Sequence, residues 1–126
     1  MPDLPRLQGY RYGMPTVNLP TVNLDAKLAL IGEHWSPLTV AMVNDYAVRL
    51  VKVQGEFVRH RHAETDEMFL VLDGELTIRM DDGDVTLGKG DMYVVPKGVE
   101  HQPVAATETA VLLFEPANVV NTGDET

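Results

Sequence analysis

The chain has 126 residues, no cysteine, and nineteen acidic against ten basic side chains, for a formal charge of −9. That length suits one hydrophobic core; the composition excludes disulfides, thiolate metal sites and cysteine nucleophiles, and the charge repels phosphate backbones and anionic lipid heads. Met1 to Arg6 lack a basic start followed by an apolar run, and no segment approaches membrane-span length, so a soluble cytoplasmic protein without nucleic-acid or membrane partners is expected.

Residues 1–37 read as an N-terminal arm with a short helix. The arm is proline-rich and carries a tandem pentapeptide, Pro15-Thr16-Val17-Asn18-Leu19 and Pro20-Thr21-Val22-Asn23-Leu24. Two copies are too few for a solenoid, so an extended segment lying on the barrel or on a neighbouring subunit is expected. Asn23 can cap a helix running from about Leu24 to Ile31, with Leu24, Leu28 and Ile31 on one face and Gly32 as a stop; it should pack on the barrel wall.

From Leu38 the apolar period becomes two, and residues 38–116 read as a β-barrel followed by a tail over 117–126. Strands over Leu38 to Val43 and Tyr46 to Val53 are separated by Asn44-Asp45, a pair that tolerates the positive φ of a tight hairpin. Asp73-Gly74 and Asp82-Gly83 mark two further turns, and between them Leu76, Ile78 and Met80 alternate with Glu75, Thr77 and Arg79. In Glu67 to Leu72 the alternation fails: Met68, Leu70 and Leu72 leave the second face without a polar residue, which predicts cover by a second subunit, hence a homodimer. With further strands at Val85 to Leu87, Met92 to Val95, Gln102 to Ala105 and Thr109 to Glu115, the count is about eight or nine, in the range of a double-sheet jelly roll.

His60 and His62 are two apart, so on a strand both imidazoles leave one face while Arg61 leaves the other. Glu67 follows after enough chain to reverse direction, and His101 follows Pro96-Lys97-Gly98-Val99-Glu100, a turn sequence. Three imidazoles and one carboxylate suit one divalent transition metal (Fe, Mn, Ni, Co or Zn) better than calcium or magnesium.

These residues resemble the two glycine-bounded motifs of the cupin superfamily. The first runs Gly55, His60, His62, Glu67, Gly74 and the second Gly90, Pro96, Gly98, His101, separated by the fifteen residues from Glu75 to Lys89. Gly55 stands four residues before its histidine where the family pattern has five, and Ala105 stands where the second motif often ends in asparagine. The resemblance covers Trp35 to about Pro116 and implies an all-β fold, a conical double-stranded β-helix whose mouth opens on the metal. Trp35-Ser36-Pro37, Asn44-Asp45, Val95 to His101 and Asn121-Thr122-Gly123-Asp124 make the chain most similar to small cupins labelled as mannose-6-phosphate isomerase-like, a label that reflects shared fold more than shared reaction.

Other polar residues near the motifs are given bland roles. His34 is read as a surface histidine, Glu64, Asp66 and Glu100 as solvated loop charges, and Arg59 and Arg61 as structural or interface residues facing away from the metal. Most of Phe69, Met80, Met92, Tyr93 and Phe114 are assigned to the barrel core rather than to a ligand pocket, and Tyr93 or a carboxylate beside the ligands is the candidate proton carrier in catalysis. A metal with open coordination positions suits a small-molecule enzyme. An oxygenase is preferred over a redox-silent isomerase or cyclase, because beyond the three ligand imidazoles only His34 remains as a histidine base. A non-catalytic binding module is the third reading.

Overall fold

The alternation that begins at Leu38 becomes seven strands in the computed structural model, which describes residues 20–119 together with 122 and 123. Most of the N-terminal arm, including the first pentapeptide, and Asn121 and Asp124 lie outside the described residues. The strands are β1 (Leu38–Val43), β2 (Tyr46–Glu56), β3 (Glu67–Asp73), β4 (Glu75–Met80), β5 (Val85–Gly88), β6 (Met92–Val95) and β7 (His101–Pro116). All observed pairings are antiparallel. The order is β1-β2-β7-β3-β6, with β4 joined to the first half of β7 and β5 joined to β4. This is the jelly-roll barrel the sequence pattern predicts.

Long β7 explains how one sheet curls on itself. Its first half pairs with β4 from Met80–His101 to Thr77–Val104, and its second half pairs with β3 around Leu70–Leu112. Strand β2 runs along both halves, but between Val53–Thr109 and Gly55–Ala105 the register jumps. Three exposed residues of β7, at 106–108, stand opposite the single residue Gln54. Such an insertion bends the strand. The two strands expected at Gln102 to Ala105 and Thr109 to Glu115 are therefore one element with a kink at the expected gap, which lowers the strand count to seven.

The inward faces of these strands form one core around Phe69, Val71, Leu76, Ile78, Val95 and Val111, each at most 5% exposed. Each such burial contributes about 1.5–3 kcal/mol, so these six outweigh any surface ion pair. On the opposite face, two apolar rows cross five strands: Leu38, Leu50, Leu112, Leu70 and Met92, then Ala41, Val48, Phe114, Met68 and Val94. Phe114 and Met92 thus stand outside the barrel rather than in its core; Phe114 packs on Tyr46 at 5.1 Å and Met92 is half-exposed.

Turn chemistry is local and accounts for the hairpins. Asn44 takes φ 55° between β1 and β2, as its short polar side chain permits. Gly74 has φ +98° and lies so close to Thr109 that a Cβ would stand 2.9 Å from the Thr109 Cα, which only glycine avoids. Helix α1 (Leu24–Leu28) is capped by the Asn23 side chain accepting from the Ala26 amide at 2.8 Å. It is shorter than expected, because after Leu28 the chain tightens into i→i+3 bonds from Leu30 and Ile31, and none of its residues is buried. Among the described residues no helix is long and apolar enough to cross a membrane.

Candidate metal centre

The ligand candidates converge because two chain segments are tied together at their ends. Beyond β2, the Phe57 amide donates to the Pro103 carbonyl, and His60 and His101 exchange both backbone hydrogen bonds at 3.0 and 2.8 Å. The turn Pro96–Val99 closes with the Val99 amide on the Pro96 carbonyl, while the Gly98 amide donates to the His62 carbonyl. Gly98 has φ +81°, the left-handed conformation that the third position of a type II turn requires. Asp66 accepts from the Lys97 amide at 2.9 Å, so one expected loop charge instead pins the loop before Glu67 to the turn before His101.

The side chains of His60, His62, Glu67 and His101 are all buried, and one ligand atom from each lies within 4.8 Å of the others. Donors about 2.1 Å from a common ion are about 3.0 Å apart at right angles and about 4.2 Å apart across it, so the cluster needs only a small contraction to hold one. The tautomers agree with this. His60 Nδ1 lies 2.9 Å from the Val58 carbonyl and His101 Nδ1 lies 2.9 Å from the Val99 carbonyl, each two residues earlier in the chain. A carbonyl only accepts, so both Nδ1 atoms carry hydrogen, and Nε2 is the atom left to offer a lone pair to a metal when the ring is neutral or, in His101, to donate to Glu67 when the ring is protonated. Glu67 Oε1 lies 3.3 Å from the Nε2 atoms of His62 and His101. This set of nitrogen and oxygen donors can hold a divalent metal.

Protonation follows the same geometry. Burial pushes the Glu67 carboxyl up, but hydrogen bonds with His101, His62 and Glu115 outweigh it and hold Glu67 well below the usual carboxylate range. Burial lowers the His60 imidazole despite its bond to Val58, which favours the neutral, ligand-competent form.

Sequence reasoning missed Glu115, the last inward residue of β7, which is fully buried. Its Oε2 accepts from Arg49 Nη1 at 2.8 Å, and Arg49 also donates to the Ala117 and Val119 carbonyls and to Thr39. Burial, and then the charge of Glu67, push the Glu115 carboxyl up to about 7. Its signal was present: His101, Pro103, Ala105, Thr109, Val111, Leu113 and Glu115 share one parity along β7, and each is buried.

A cavity of about 410 Å³, counting the space at its open mouth, adjoins the cluster. Trp35, Phe57 and Phe69 line it with His60 and Glu67. Trp35 has φ 62°, a region that costs a bulky residue about 1–2 kcal/mol. It is held there by its amide on the Lys52 carbonyl, its indole Nε1 on the Gln54 carbonyl at 2.9 Å, and a stack on Phe57 at 4.7 Å. Phe57 in turn meets the His60 ring edge-on at 5.5 Å. Tyr93 pairs with Phe69 across β3 and β6 and packs on the core without lining the cavity. His34 lies outside the cluster on an exposed contact with Glu108 at 2.8 Å. Arg59 bonds Asp81 and Glu100 at the surface, as a structural role requires.

Comparison with known proteins agrees with this architecture. The family model described as a cupin domain matches residues 47–116. The Bacillus subtilis (strain 168) protein YdbB is 35% identical over 94 residues, spanning 74% of this chain and 83% of YdbB. Two crystal structures are similar in fold and sequence. A cupin-2 domain containing protein from Shewanella frigidimarina NCIMB 400 shares 50% identity at a TM-score of 0.74, over 75% of this chain and 93% of that one. Protein NMB1881 from Neisseria meningitidis shares 31% identity at a TM-score of 0.71, over 78% of this chain and 100% of that one.

Proposed function

The chain belongs to the cupin family, and on that footing we propose that it is a metal-dependent, oxygenase-type enzyme acting on a small molecule, with His60, His62, Glu67 and His101 as the metal ligands. A divalent iron or manganese in that cluster supplies Lewis acidity and redox chemistry at a net positive centre. The protein contributes the rest. His60 and His101 are fixed in one tautomer by backbone carbonyls, Glu67 stays ionised at neutral pH, and the barrel wall keeps bulk water from all but the mouth.

One observation carries the oxygenase reading over isomerisation or cyclisation. Apart from the two ligand candidates His60 and Glu67, no described residue lining the cavity has an ionisable side chain, so a reaction that moves protons on the substrate finds no free carrier on the cavity wall itself. Oxygenation places fewer demands on the walls: a carbon–carbon bond breaks, both atoms of dioxygen enter the products, and no separate reductant is needed.

Elemental analysis of untagged protein, joined to oxygen uptake by the iron-loaded and manganese-loaded chain on catechols, diketones and phenols, tests this. Uptake should require the metal and disappear in His101→Ala, which should also fail to retain metal while staying folded. Tetrahedral zinc without exchangeable water would point to a structural site, and solvent hydrogen exchange into a substrate without oxygen uptake would favour the proton-transfer alternative.

A further inference from the structure

The cavity walls narrow what can enter. Trp35, Phe57 and Phe69 supply three rings, and Val53, Leu76 and Val111 are among the aliphatic remainder. No lysine, arginine, hydroxyl or amide side chain lines it among the described residues, and the one indole N–H is already bonded to the Gln54 carbonyl. A phosphate group would meet no cation there, and a polyhydroxylated sugar would exchange its hydration for apolar walls, which is costly for every hydroxyl left unpaired.

The Trp35–Phe57 pair gives that cavity a flat side. The rings stack 18° from parallel, and Phe57 stands edge-on to His60, so the aromatic wall leads from the mouth to the ligand cluster. Trp35 is held at positive φ, which glycine or asparagine would adopt at less cost. A bulky ring kept in an unfavourable conformation beside a functional cluster points to a use for the ring itself.

We propose that the cavity is an aromatic slot: it takes a small planar arene bearing an oxygen donor that reaches the ligand cluster, and Trp35 sets that preference. The oxygen-donor half rests on the proposed metal centre; the ring half does not. Arenes gain offset or edge-on contacts with Trp35, Phe57 and Phe69 that a sugar cannot make.

Trp35 is the only tryptophan in the chain, so its fluorescence reports on the slot directly. The probes are 4-nitrocatechol, a chelating ring whose absorption shifts on coordination, 2-naphthol, a ring with a single hydroxyl, and glucose 6-phosphate. Both arenes should quench Trp35 and glucose 6-phosphate should not. Stripping the metal should weaken 4-nitrocatechol at least about tenfold and change 2-naphthol little. Trp35→Ala, followed by the absorbance or fluorescence of the probes, should weaken both arenes about tenfold at unchanged metal content, and Trp35→Phe should restore most of the affinity. If Trp35→Ala fails to fold, Phe57→Leu carries the same expectation. Unchanged arene affinity in these variants, or displacement of 4-nitrocatechol by glucose 6-phosphate at similar concentration, overturns the slot. Arene binding by a chain that takes up none of the divalent metals on loading supports the slot and sinks the metal reading; metal retention without arene binding sinks the slot alone.

Discussion

Glu115→Gln should change the pH dependence of stability in metal-free protein, and the expected size follows from the structure. In the unfolded chain this carboxyl titrates near its ordinary value of 4.5; in the fold, burial and the Glu67 charge raise it to about 7. At about 1.4 kcal/mol per pH unit, that difference reaches about 3 kcal/mol. The raised group gives the fold its full advantage below pH 4.5, and the advantage is lost as pH rises through 7. The amide that replaces the carboxyl cannot ionise but still offers Arg49 Nη1 an oxygen. Denaturant melts in chelator at pH 5, 6, 7 and 8 should therefore show the variant gaining on the wild type with rising pH, by about 2.5 kcal/mol across the range and mostly below pH 7. Charge pairing with Arg49 acts on the ionised carboxyl and is already contained in the raised value, so it adds no further slope. His60, lowered by burial, makes the fold less stable as pH falls below 6.5, but it does so in both proteins. Glu67, held low, acts below pH 4.5, outside the window. A difference that stays flat from pH 5 to 8 would refute the burial of an ionisable Glu115 beside Glu67.

Three further outcomes follow from close contacts and exposed faces. A Cβ at Gly123 would stand 2.8 Å from the His60 Cβ and 2.7 Å from the Arg61 carbonyl oxygen at φ +90°, so Gly123→Ala should weaken metal affinity about tenfold by displacing His60, as read by calorimetric titration with Mn²⁺. Gly74→Ala drives a Cβ into the Thr109 backbone and should cost about 2–4 kcal/mol in a thermal or denaturant melt, with the metal site intact once folded. The two apolar rows carry no charge, span five strands of roughly 4.8 Å spacing, and leave Met92 and Val94 57% and 43% exposed, so two copies can meet there without setting like charges directly against each other. Sedimentation should give twice the 13.9 kDa chain mass, and Met92→Glu with Val94→Glu should give the monomer; a wild-type monomer at micromolar concentration sinks the dimer.

Much of the architecture was legible because antiparallel strands with one buried face write themselves as alternation, and because hairpins demand residues that tolerate positive φ. Asn44 and Gly74 are cases where residue type and conformation coincide. The candidate cluster was legible for the same reason: His60 and His62 sit two apart, and Pro96 and Gly98 favour the turn that returns His101. Helix length was less so, since Leu28 and Ile31 keep helical spacing while no tertiary contact buries α1, and an unburied short helix frays into tighter turns. Phe114 and Met92 were misplaced because apolar character says that a residue seeks cover without saying on which face.

The site's surroundings lie beyond that reach for a physical reason. Inward and outward faces of β2 are both covered at Leu50 and Val51, so alternation there assigns no direction, and Arg49 could have been placed on either side. Only the ligands break the tie: once His101 is known to point inward, equal parity along β7 carries Glu115 inward too, across a three-residue insertion that an even count would have reversed. Trp35 offers no such handle. Nothing in a tryptophan predicts positive φ; the bonds to Lys52 and Gln54 and the stack on Phe57 impose it from residues far along the chain. Where local preference and tertiary structure disagree, the fold retains a cost that selection must tolerate for some return. In this barrel that disagreement sits at the mouth of the cavity, one ring away from His60, which is where a return in ligand binding would be collected.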